Sequence, residues 1–367
     1  MLPAGAEGGP TPVEIRPIRL PVAGSTGPDG ELAAYAELIG SIDLETLGTA
    51  DLARSVTELR VDLAGADEHR EHLALGAFED GALVGMAELE WERDDDASTA
   101  YLPLLGVAVS HRRRGIGTRL LEQAERAATQ AGRPTLVLSG EHRLDADDGS
   151  GARLRAPQGD ASIRRDDAAA AFATAHGYAL GQLDRISRLH VAGRRAEFAA
   201  RLSALGDASP FRVATWIDEA PEDVVDSLAH AHERMSVDAP SGAISYELEH
   251  WDAERVRADE RRCAEMGRIT LTAAAITADG TVAGFTVLSL LPGSEAVEQW
   301  DTLVLAAHRG HGLGLRLKLA NLVQLAEVDE ARGPVYTWNA DENAHMLAIN
   351  LALGFEPFAL ESVWQRP

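Results

Sequence analysis

The chain has 367 residues, and its 45% hydrophobic and 25% charged composition is typical of a globular protein with room for two domains. A formal net charge of −24 disfavours binding to nucleic acid or to an anionic membrane, and it would attract cationic small molecules. The same acidity can serve solubility alone. The single cysteine, Cys263, excludes an intrachain disulfide and a cysteine-rich zinc site, and it fits a reducing cytosol.

The sequence also gives expectations about location and partners. The first fifteen residues lack the basic start and apolar core of a signal peptide, and no apolar run approaches the ~18 residues of a membrane span. We therefore expect a cytoplasmic protein, a monomer or homodimer, with neither nucleic acid nor membrane as partner. No pair of histidines has the spacing of metal ligands, so we expect no metal.

The first half predicts alternating strands and helices. In chain order these are a strand at 13–20, helices near 31–40 and 46–62, a strand–turn–strand unit at 73–94, a strand at 101–109, a helix at 115–131, a buried strand at 134–139, a short helix at 166–178 and a strand at 179–191. Residues 140–165 are rich in Asp and Gly without any period, which predicts a long mobile loop.

The second half predicts the same order of elements. These are a connecting helix at 192–206, a strand at 211–217, helices near 221–235 and 252–265, a strand–turn–strand unit at 269–291, a strand at 297–307, a helix at 312–327, a strand at 333–339, a helix at 342–355 and a final strand at 358–365. This internal repeat predicts one domain over 1–191, a linker helix within 192–209, and a second domain over 210–367.

Each half carries one glycine motif between a strand and a helix. The motifs are Arg112-x-x-Gly115-x-Gly117 and Arg309-x-x-Gly312-x-Gly314. Glycines at a helix N-terminus let backbone N–H groups approach an anion, and the helix dipole favours negative charge there. The motifs therefore predict two pyrophosphate cradles. A Walker loop is excluded because Gly-Lys-Ser/Thr is absent, and the position after several strands disfavours a dinucleotide fingerprint.

The motifs and the order of elements resemble the Gcn5-related N-acetyltransferases (GNAT), here as a tandem covering essentially the whole chain. The second half also carries the family's closing segment, "NADENAHMLAINLALGF" with Asn343, whereas Asp166 replaces the asparagine in the first half. The resemblance implies an α/β (α+β) fold of two tandem GNAT domains. Each would have a mixed, mostly antiparallel sheet, splayed at the cofactor strand, with helices on both faces.

The resemblance further implies acetyl-CoA as cosubstrate, with pantetheine in a gap between strands 82–92 and 101–109 and between strands 282–290 and 298–306. The residues that it implies for cofactor binding are Val304, Ala306, Arg309, Gly310, His311, Gly312, Leu313, Gly314, Leu315, Asn339 and Asn343 in the second half, and Val107, Val109, Arg112, Arg114, Gly115, Ile116, Gly117 and Thr118 in the first.

Amine acetylation needs a proton acceptor, because a free alkylamine has a pKa near ~10. The family's tyrosine acid is replaced by Ala173 and Asn350. Candidate catalytic residues are Glu298 and Asp301, on the strand expected beside the second gap, and Asn350 as a hydrogen-bond donor. In the first half, "ELEWE" places glutamates at 88, 90 and 92 on one strand face, which is either solvated or an acidic pocket.

These observations predict an N-acetyltransferase that moves an acetyl group from acetyl-CoA to a small, cationic amine by direct attack in a ternary complex. The alternative is a non-catalytic sensor or scaffold that binds acyl-CoA. We expect chemistry in the second half, which keeps Asn343, and a cofactor-binding or degenerate first half.

Overall fold

The computed structural model describes residues 12–20, 30–64, 67–94, 96–145, 147, 149–207, 210–238, 242–244 and 248–366. The helices are α1 (Gly30–Thr46), α2 (Val56–Leu63), α3 (Ile116–Gln130), α4 (Ala168–Ala175), α5 (Arg195–Ala204), α6 (Val225–Asp238), α7 (Ala253–Glu265), α8 (Leu313–Val328) and α9 (Ala344–Leu353). The strands are β1 (Glu14–Pro17), β2 (Arg70–Glu79), β3 (Ala82–Glu92), β4 (Thr99–Val107), β5 (Thr135–Arg143), β6 (Arg153–Leu154), β7 (Ile163–Arg164), β8 (Ala179–His190), β9 (Arg212–Ile217), β10 (Ile269–Ile276), β11 (Val282–Leu290), β12 (Val297–Val304), β13 (Pro334–Ala340) and β14 (Glu356–Gln365).

Twelve of these strands form one continuous mixed sheet, in the order β1-β2-β3-β4-β5-β14-β8-β13-β12-β11-β10-β9. Helices cover both faces. Met86 packs in the cluster under α1, while Ala87, the next residue of β3, packs in the cluster under α3. In the second half Ala274 packs towards α6 and Ala275 towards α8. Because successive strand residues point to opposite faces, α1 and α3 lie on opposite sides, as do α6 and α8. The predicted fold class is confirmed.

The closing strands of the two halves are exchanged at the centre of the sheet. Strand β14, at the end of the chain, is antiparallel to β5 of the first half, with Glu361 opposite Glu141. Strand β8, at the end of the first half, is antiparallel to β13 of the second. The two closing strands also pair with each other, so that Glu361 faces Asp184. The predicted domain bounds, 1–191 and 210–367, describe continuous stretches of the chain, but strand pairing in the sheet crosses between them three times, at β5–β14, β14–β8 and β8–β13.

The predicted linker, 192–209, contains α5, which packs against α8 and buries Phe198 completely. This segment is therefore part of the second half's core, and its helix is more than a tether between domains.

Two sequence-based expectations about local structure are wrong. The helix predicted at 46–62 is the shorter α2, which begins after Ser55, where Ser55 and Glu58 form a capping box. The segment 140–165 contains regular structure: β5 continues to Arg143, and a hairpin follows in which Leu154 pairs with Ile163. The side chain of Ile163 is buried, so the hairpin is anchored in the first half's core.

A testable consequence of the strand exchange concerns Trp364, which lies on β14 but is buried in the first half's core. Replacing Trp364 with Ala should lower the free energy of unfolding by about 3–5 kcal/mol, the usual cost of removing a buried Trp. Urea denaturation measures the change. The matched control is Leu351→Ala, since Leu351 is 73% exposed. Equal, small effects of both substitutions would contradict the position of β14.

Candidate active site

Both glycine motifs fold into the same backbone shape between a strand and a helix. In the first half Arg113 and Gly115 have φ of 62° and 78°, and in the second half Gly310 and Gly312 have φ of 87° and 69°. Gly115 and Gly312 occupy the N-cap positions of α3 and α8, and no side chain caps either helix. The amides of both first turns therefore remain available to an anion. A Cβ at Gly115 or Gly312 would meet no atom within 4 Å, so both cradles are open.

The second glycine of each motif serves helix packing. A Cβ on Gly117 would lie 3.3 Å from Cε2 of Phe172 on α4, and one on Gly314 would lie 3.0 Å from Cδ1 of Ile349 on α9. These glycines let the closing helix of each half pack closely against the cradle helix. The cradle thus keeps a fixed position relative to the closing helix.

The motif arginines hold the cradle to the end of the preceding strand. Nε of Arg112 donates to the carbonyl of Val107 at 2.8 Å, and Nε of Arg309 donates to the carbonyl of Val304 at 3.0 Å. The remaining guanidinium nitrogens of Arg112 bind Glu45 at 2.6 and 2.5 Å. Arg114, outside this clamp, is paired with Glu79. The arginines therefore shape the cradle directly, and add positive charge to it.

The gap beside each cradle lies one strand away from the predicted position. Strands β3 and β4 remain paired up to Gly85 opposite Val107, although a bulge interrupts their register between Glu88 and Glu90. The strands that separate are β4 and β5, whose pairing ends at Leu102 opposite Leu138. The expectation of a gap between 82–92 and 101–109 was wrong, because β3 and β4 stay paired on both sides of the bulge.

The second half repeats this arrangement. Strands β11 and β12 are paired up to Gly284 opposite Val304, again across a bulge, and the expected gap between them is likewise absent. The parallel pairing of β12 with β13 ends at Gln299 opposite Thr337, while both strands continue. Backbone groups on the facing edges of each separated pair can receive an extended ligand as an added strand.

A cavity of about 920 Å³ fills the gap of the first half. It extends from the cradle at Gly115 along Val107 to Glu141 and His142 on β5, and Phe172 and Ala173 of α4 form one wall. Its size lies within the range of about 300–1,000 Å³ of small-molecule and cofactor sites. Of the first-half residues predicted to contact the cofactor, all but Val109 and Arg114 line it.

The remaining predicted cofactor residues occupy different environments. Ile116 and Leu313 are each 2% exposed in the core, so only their backbone can face a ligand. Val109 and Ala306 lie in short 3₁₀ turns, and Val109 is 66% exposed. Thr118 Oγ1 is 3.0 Å from Nε2 of His176. Leu315 is half-buried beside α9, and His311 packs edge-on against Phe211. Asn343 caps α9, since its side chain accepts a hydrogen bond from the amide of Met346.

The structure brings Asn339 and Asn350 together beside the second gap. Nδ2 of Asn350 donates to Oδ1 of Asn339 at 2.6 Å, which joins α9 to the end of β13. Asn350 is 2% exposed, and its Oδ1 has no hydrogen-bond partner among the described residues. A buried acceptor without a donor is costly, so this oxygen is suited to receive an N–H from a ligand.

The two predicted carboxylates of the second half already have partners. Glu298 binds Nη1 of Arg268 at 2.5 Å, and Arg268 also binds Glu58 at 2.8 Å, which ties α2 to β12. Asp301 lies 3.3 Å from Nδ1 of His232 on α6. Because Glu298 is paired with Arg268, its carboxylate is not favoured as a proton acceptor. Its role as a catalytic base stays a prediction.

Two of the three glutamates of "ELEWE" form ion pairs within the fold, and Glu90 and Glu92 line a cavity of about 1080 Å³. Glu88 is 2% exposed and paired with Arg54. Glu92 binds Arg70 at 2.7 Å and Arg255 at 3.1 Å, so it joins the two halves. These carboxylates hold the fold together as partly buried ion pairs.

A row of carboxylates that the sequence did not predict lies on the three central strands. Glu141 of β5, Glu361 of β14 and Asp184 of β8 are consecutive register partners, so they share one face of the sheet. Asp43 of α1 contributes a fourth charge close to Glu141. We call Glu141, Glu361 and Asp184 the carboxylate row.

Burial raises the pKa of all four carboxyl groups, and repulsion from other members of the set raises the pKa of Glu141 and Glu361 further. The pKa of Glu141 rises to about 8 through burial and the charges of Glu361 and Asp43. The pKa of Glu361 rises to about 7 through burial and the charge of Asp184. The pKa values of Asp184 and Asp43 rise to about 6, in both cases mainly through burial. Carboxyl groups with pKa values near neutrality can exchange protons in catalysis.

On the opposite face of β5, His142 connects the cavity to the end of the chain. Its Nε2 lies 2.7 Å from Oγ of Ser362 on β14, and its Nδ1 lies 3.0 Å from Oδ1 of Asp167, the N-cap residue of α4. Ser362 is fully buried, and it also accepts from Nε1 of Trp364 at 2.8 Å. This buried chain fixes the cavity wall relative to β14.

Sequence analysis missed these residues for two reasons. "GEHR" was assigned to a loop, although extending the alternation of β5 by two residues would have placed Glu141 and His142 on its two faces. The approach of Glu361 and Ser362 results from the strand exchange, for which the sequence of either half contains no local signal.

No group of three or more His, Cys, Asp or Glu side chains in the described part of the chain is arranged to hold a metal ion. Within that same part, no helix is both long and apolar enough to cross a membrane.

Comparison with known proteins identifies the fold. Residues 42–147 match the family model described as Acetyltransferase (GNAT) family. A tandem GNAT protein from the clavulanic acid biosynthesis pathway is 24% identical with a TM-score of 0.72, over 96% of this chain and 98% of that chain. A GCN5-related N-acetyltransferase from Sphaerobacter thermophilus is 14% identical with a TM-score of 0.57, over 97% of this chain and 98% of that chain. A comparison with curated protein sequences gives no significant match. The predicted resemblance is confirmed for the tandem fold and, at residues 42–147, for the family.

The raised pKa values give a testable pH dependence of stability. A carboxyl group whose folded-state pKa exceeds its ordinary value of 4.5 stabilises the fold below pH 4.5, and this contribution is lost as pH rises towards 7 and 8. Replacing Glu361 with Gln should therefore raise the melting temperature at pH 9 by roughly 2–4 °C and leave it nearly unchanged at pH 4.5. The control is Glu356→Gln, an exposed residue on the same strand. A lower melting temperature of Glu361→Gln at pH 9 would contradict repulsion within the row.

Proposed function

We propose that this protein transfers an acetyl group from acetyl-CoA to the amine of a small, cationic molecule. The observation that carries the proposal is the first-half cavity, which connects an open anion cradle to a carboxylate with a pKa near neutrality. The match of residues 42–147 to an acetyltransferase family supports this reading of the cavity.

The residues present fit acetyl-CoA at the first half. The amides of the first turn of α3 would hold the pyrophosphate, since Gly115 leaves the cradle open and no side chain caps the helix. The free edges of β4 and β5 beyond Leu102 would pair with the amides of pantetheine. Leu105 and Phe172 add apolar surface to the cavity wall, against which the pantetheine chain would pack.

Acetyl-CoA supplies the thioester carbonyl that the acceptor amine attacks. Glu141 is the group that would take the ammonium proton, because it lines the cavity and its pKa of about 8 approaches that of an amine. Once neutral, the nitrogen can attack. The α4 position of the family's tyrosine acid is Ala173 here, so the departing thiolate takes its proton from water.

The second half supports cofactor binding more strongly than chemistry. Its cradle has the same backbone shape, and the unpartnered Oδ1 of Asn350 could accept from a pantetheine amide. Its predicted bases, however, are Glu298, held by Arg268, and Asp301, which lies beside His232. We therefore propose that the first half performs the chemistry, in place of the sequence-based expectation for the second half.

Substitutions in the cradles test where acetyl-CoA binds. Gly115→Asp should abolish binding at the first half, because a carboxylate would occupy the anion site, and Gly312→Asp should do the same at the second. We expect calorimetric titration to show two sites in the natural protein and one in each variant. Gly132→Asp is the matched control, since Gly132 has φ of 77° and equally free space at the other end of α3. Two sites that survive Gly115→Asp, or a single site in the natural protein that Gly115→Asp leaves intact, would contradict binding at the first half.

The role of Glu141 is tested by kinetics. Replacing Glu141 with Gln should lower kcat by about 10²–10⁴ while leaving acetyl-CoA affinity nearly unchanged. In the natural protein kcat/KM should rise with pH up to about 8 and then level, because the carboxylate form is the base. The variant should lack this rise.

Thiol release from acetyl-CoA with a panel of amines measures the rate, and Glu122→Gln, an exposed site on α3, is the control. If Glu298→Gln abolishes turnover and Glu141→Gln does not, the second half is the catalytic one. If acetyl-CoA binds but no amine of the panel causes thiol release, a non-catalytic sensor or scaffold is favoured.

A further inference from the structure

The carboxylate row places like charges in a position that folding alone does not favour. Glu141, Glu361 and Asp184 are directly opposite one another on adjacent strands. Side chains in such positions have Cβ atoms about 4.5–5.5 Å apart, and like charges there destabilise a sheet. A cation bound across the row would remove this repulsion.

The arginines around the row are engaged elsewhere. Arg185, on β8, is paired with Asp341, and Arg143, on β5, binds Asp145 at 2.5 Å. Arg54 faces Asp43 but is paired with Glu88 and binds Asp62 at 3.1 Å.

Two further charged groups face the row. Arg188, farther along β8 on the same face as Asp184, lies over the ring of Phe358 at 4.8 Å. Glu342, near Asp184, adds negative charge, and both its carboxylate oxygens are buried without a hydrogen-bond partner in the described residues. Apart from a hydrogen bond between Ser139 and Glu361, the described residues around the row therefore leave its negative charge largely uncompensated.

A buried amide beside the row points independently to a ligand. Gln182 is 4% exposed and lies two residues before Asp184, on the same face of β8. Its Nε2 donates to Oδ1 of Asp184 at 2.6 Å, which places the amide at the end of the row. Its Oε1 has no hydrogen-bond partner within the described part of the chain. An amide oxygen and a carboxylate side by side are suited to an ammonium group, which donates three hydrogen bonds.

We propose that Glu141, Glu361 and Asp184, together with Gln182, form a single acceptor site, built from both halves, for a molecule with at least two ammonium groups. This inference rests on the proposed function. Gln182, Asp184 and Glu361 hold one ammonium group, and Glu141, which lines the cavity, receives the second. The row covers two strand spacings of about 4.8 Å each, so it matches a short aliphatic diamine or polyamine and exceeds the reach of a single ammonium.

The transfer step at this site is balanced in atoms and charge. The second ammonium gives a proton to the carboxylate of Glu141 and becomes a neutral amine. Its nitrogen forms a bond to the acetyl carbon, the carbon–sulfur bond breaks, and the thiolate leaves and takes a proton from water. The amide product has one positive charge fewer than the acceptor, so it binds the row more weakly and can depart.

The test is calorimetric titration of the full chain with butane-1,4-diamine in the absence of acetyl-CoA, compared with butylamine. We expect the diamine to bind at least tenfold more tightly. At pH 7 its binding should release protons, seen as an enthalpy that depends on the buffer, because the protonated carboxyl groups of the row ionise beside the cation. At pH 9 this release should disappear.

The variants Glu361→Gln and Asp184→Asn should each weaken diamine binding at least tenfold and reduce the proton release, whereas Glu356→Gln should change neither. Equal affinity for the two amines, or unchanged binding by Glu361→Gln, would overturn the proposal. Binding of magnesium ion at the row as tightly as the diamine would also overturn the proposal. Thiol release distinguishes failure of the diamine site from failure of the proposed acetyltransferase activity. Turnover without preference for the diamine refutes only the site, and diamine binding without turnover refutes only the acetyltransferase activity.

Discussion

The pairing of β8 with β14 is the interaction on which the rest of the structure depends. It joins the two halves through backbone hydrogen bonds at the centre of the sheet, where water has little access. Through it Trp364 reaches the first half's core, Ser362 reaches His142, and Glu361 reaches Glu141. The walls of the first-half cavity are therefore set by residues from both ends of the chain, and neither half forms them alone.

On either side of the β8–β14 pairing, the two halves build their anion cradles with the same backbone conformation. A left-handed residue two positions before the N-cap and a left-handed glycine at the N-cap turn the chain into the helix. The arginine Nε then fixes that turn to the end of the strand. The positions differ in one respect, since the first half places Arg113 where the second has Gly310, and a non-glycine residue with positive φ costs roughly 1 kcal/mol. Strain of this kind is common where backbone geometry serves a ligand.

The sequence predicts features that depend on neighbouring residues and misses those that depend on distant ones. The glycine motifs, the helices after them and the turn at Asp80-Gly81 follow from local conformational preferences, and the structure has all of them. The gap was placed beside the wrong strand because pairing partners are not encoded within a strand. Glu298 was predicted to accept a proton because its ion-pair partner, Arg268, lies 30 residues earlier in the chain, just before β10, and no local pattern connects the two. Glu361 could not be associated with Glu141 because 220 residues of separation carry no periodic signal.

The exchange of closing strands also has a consequence for biosynthesis. Strand β14 is synthesised after all the other strands of the sheet, yet it must enter between β5 and β8, which were made far earlier. At typical rates of translation the second half takes on the order of 10 s or more to appear. During that time the edges of β5 and β8 are without their final partner, and open edges invite pairing with other chains. A nascent chain of this topology therefore depends on protection of those edges until β14 has been made, and the sheet beside the first half is completed only then.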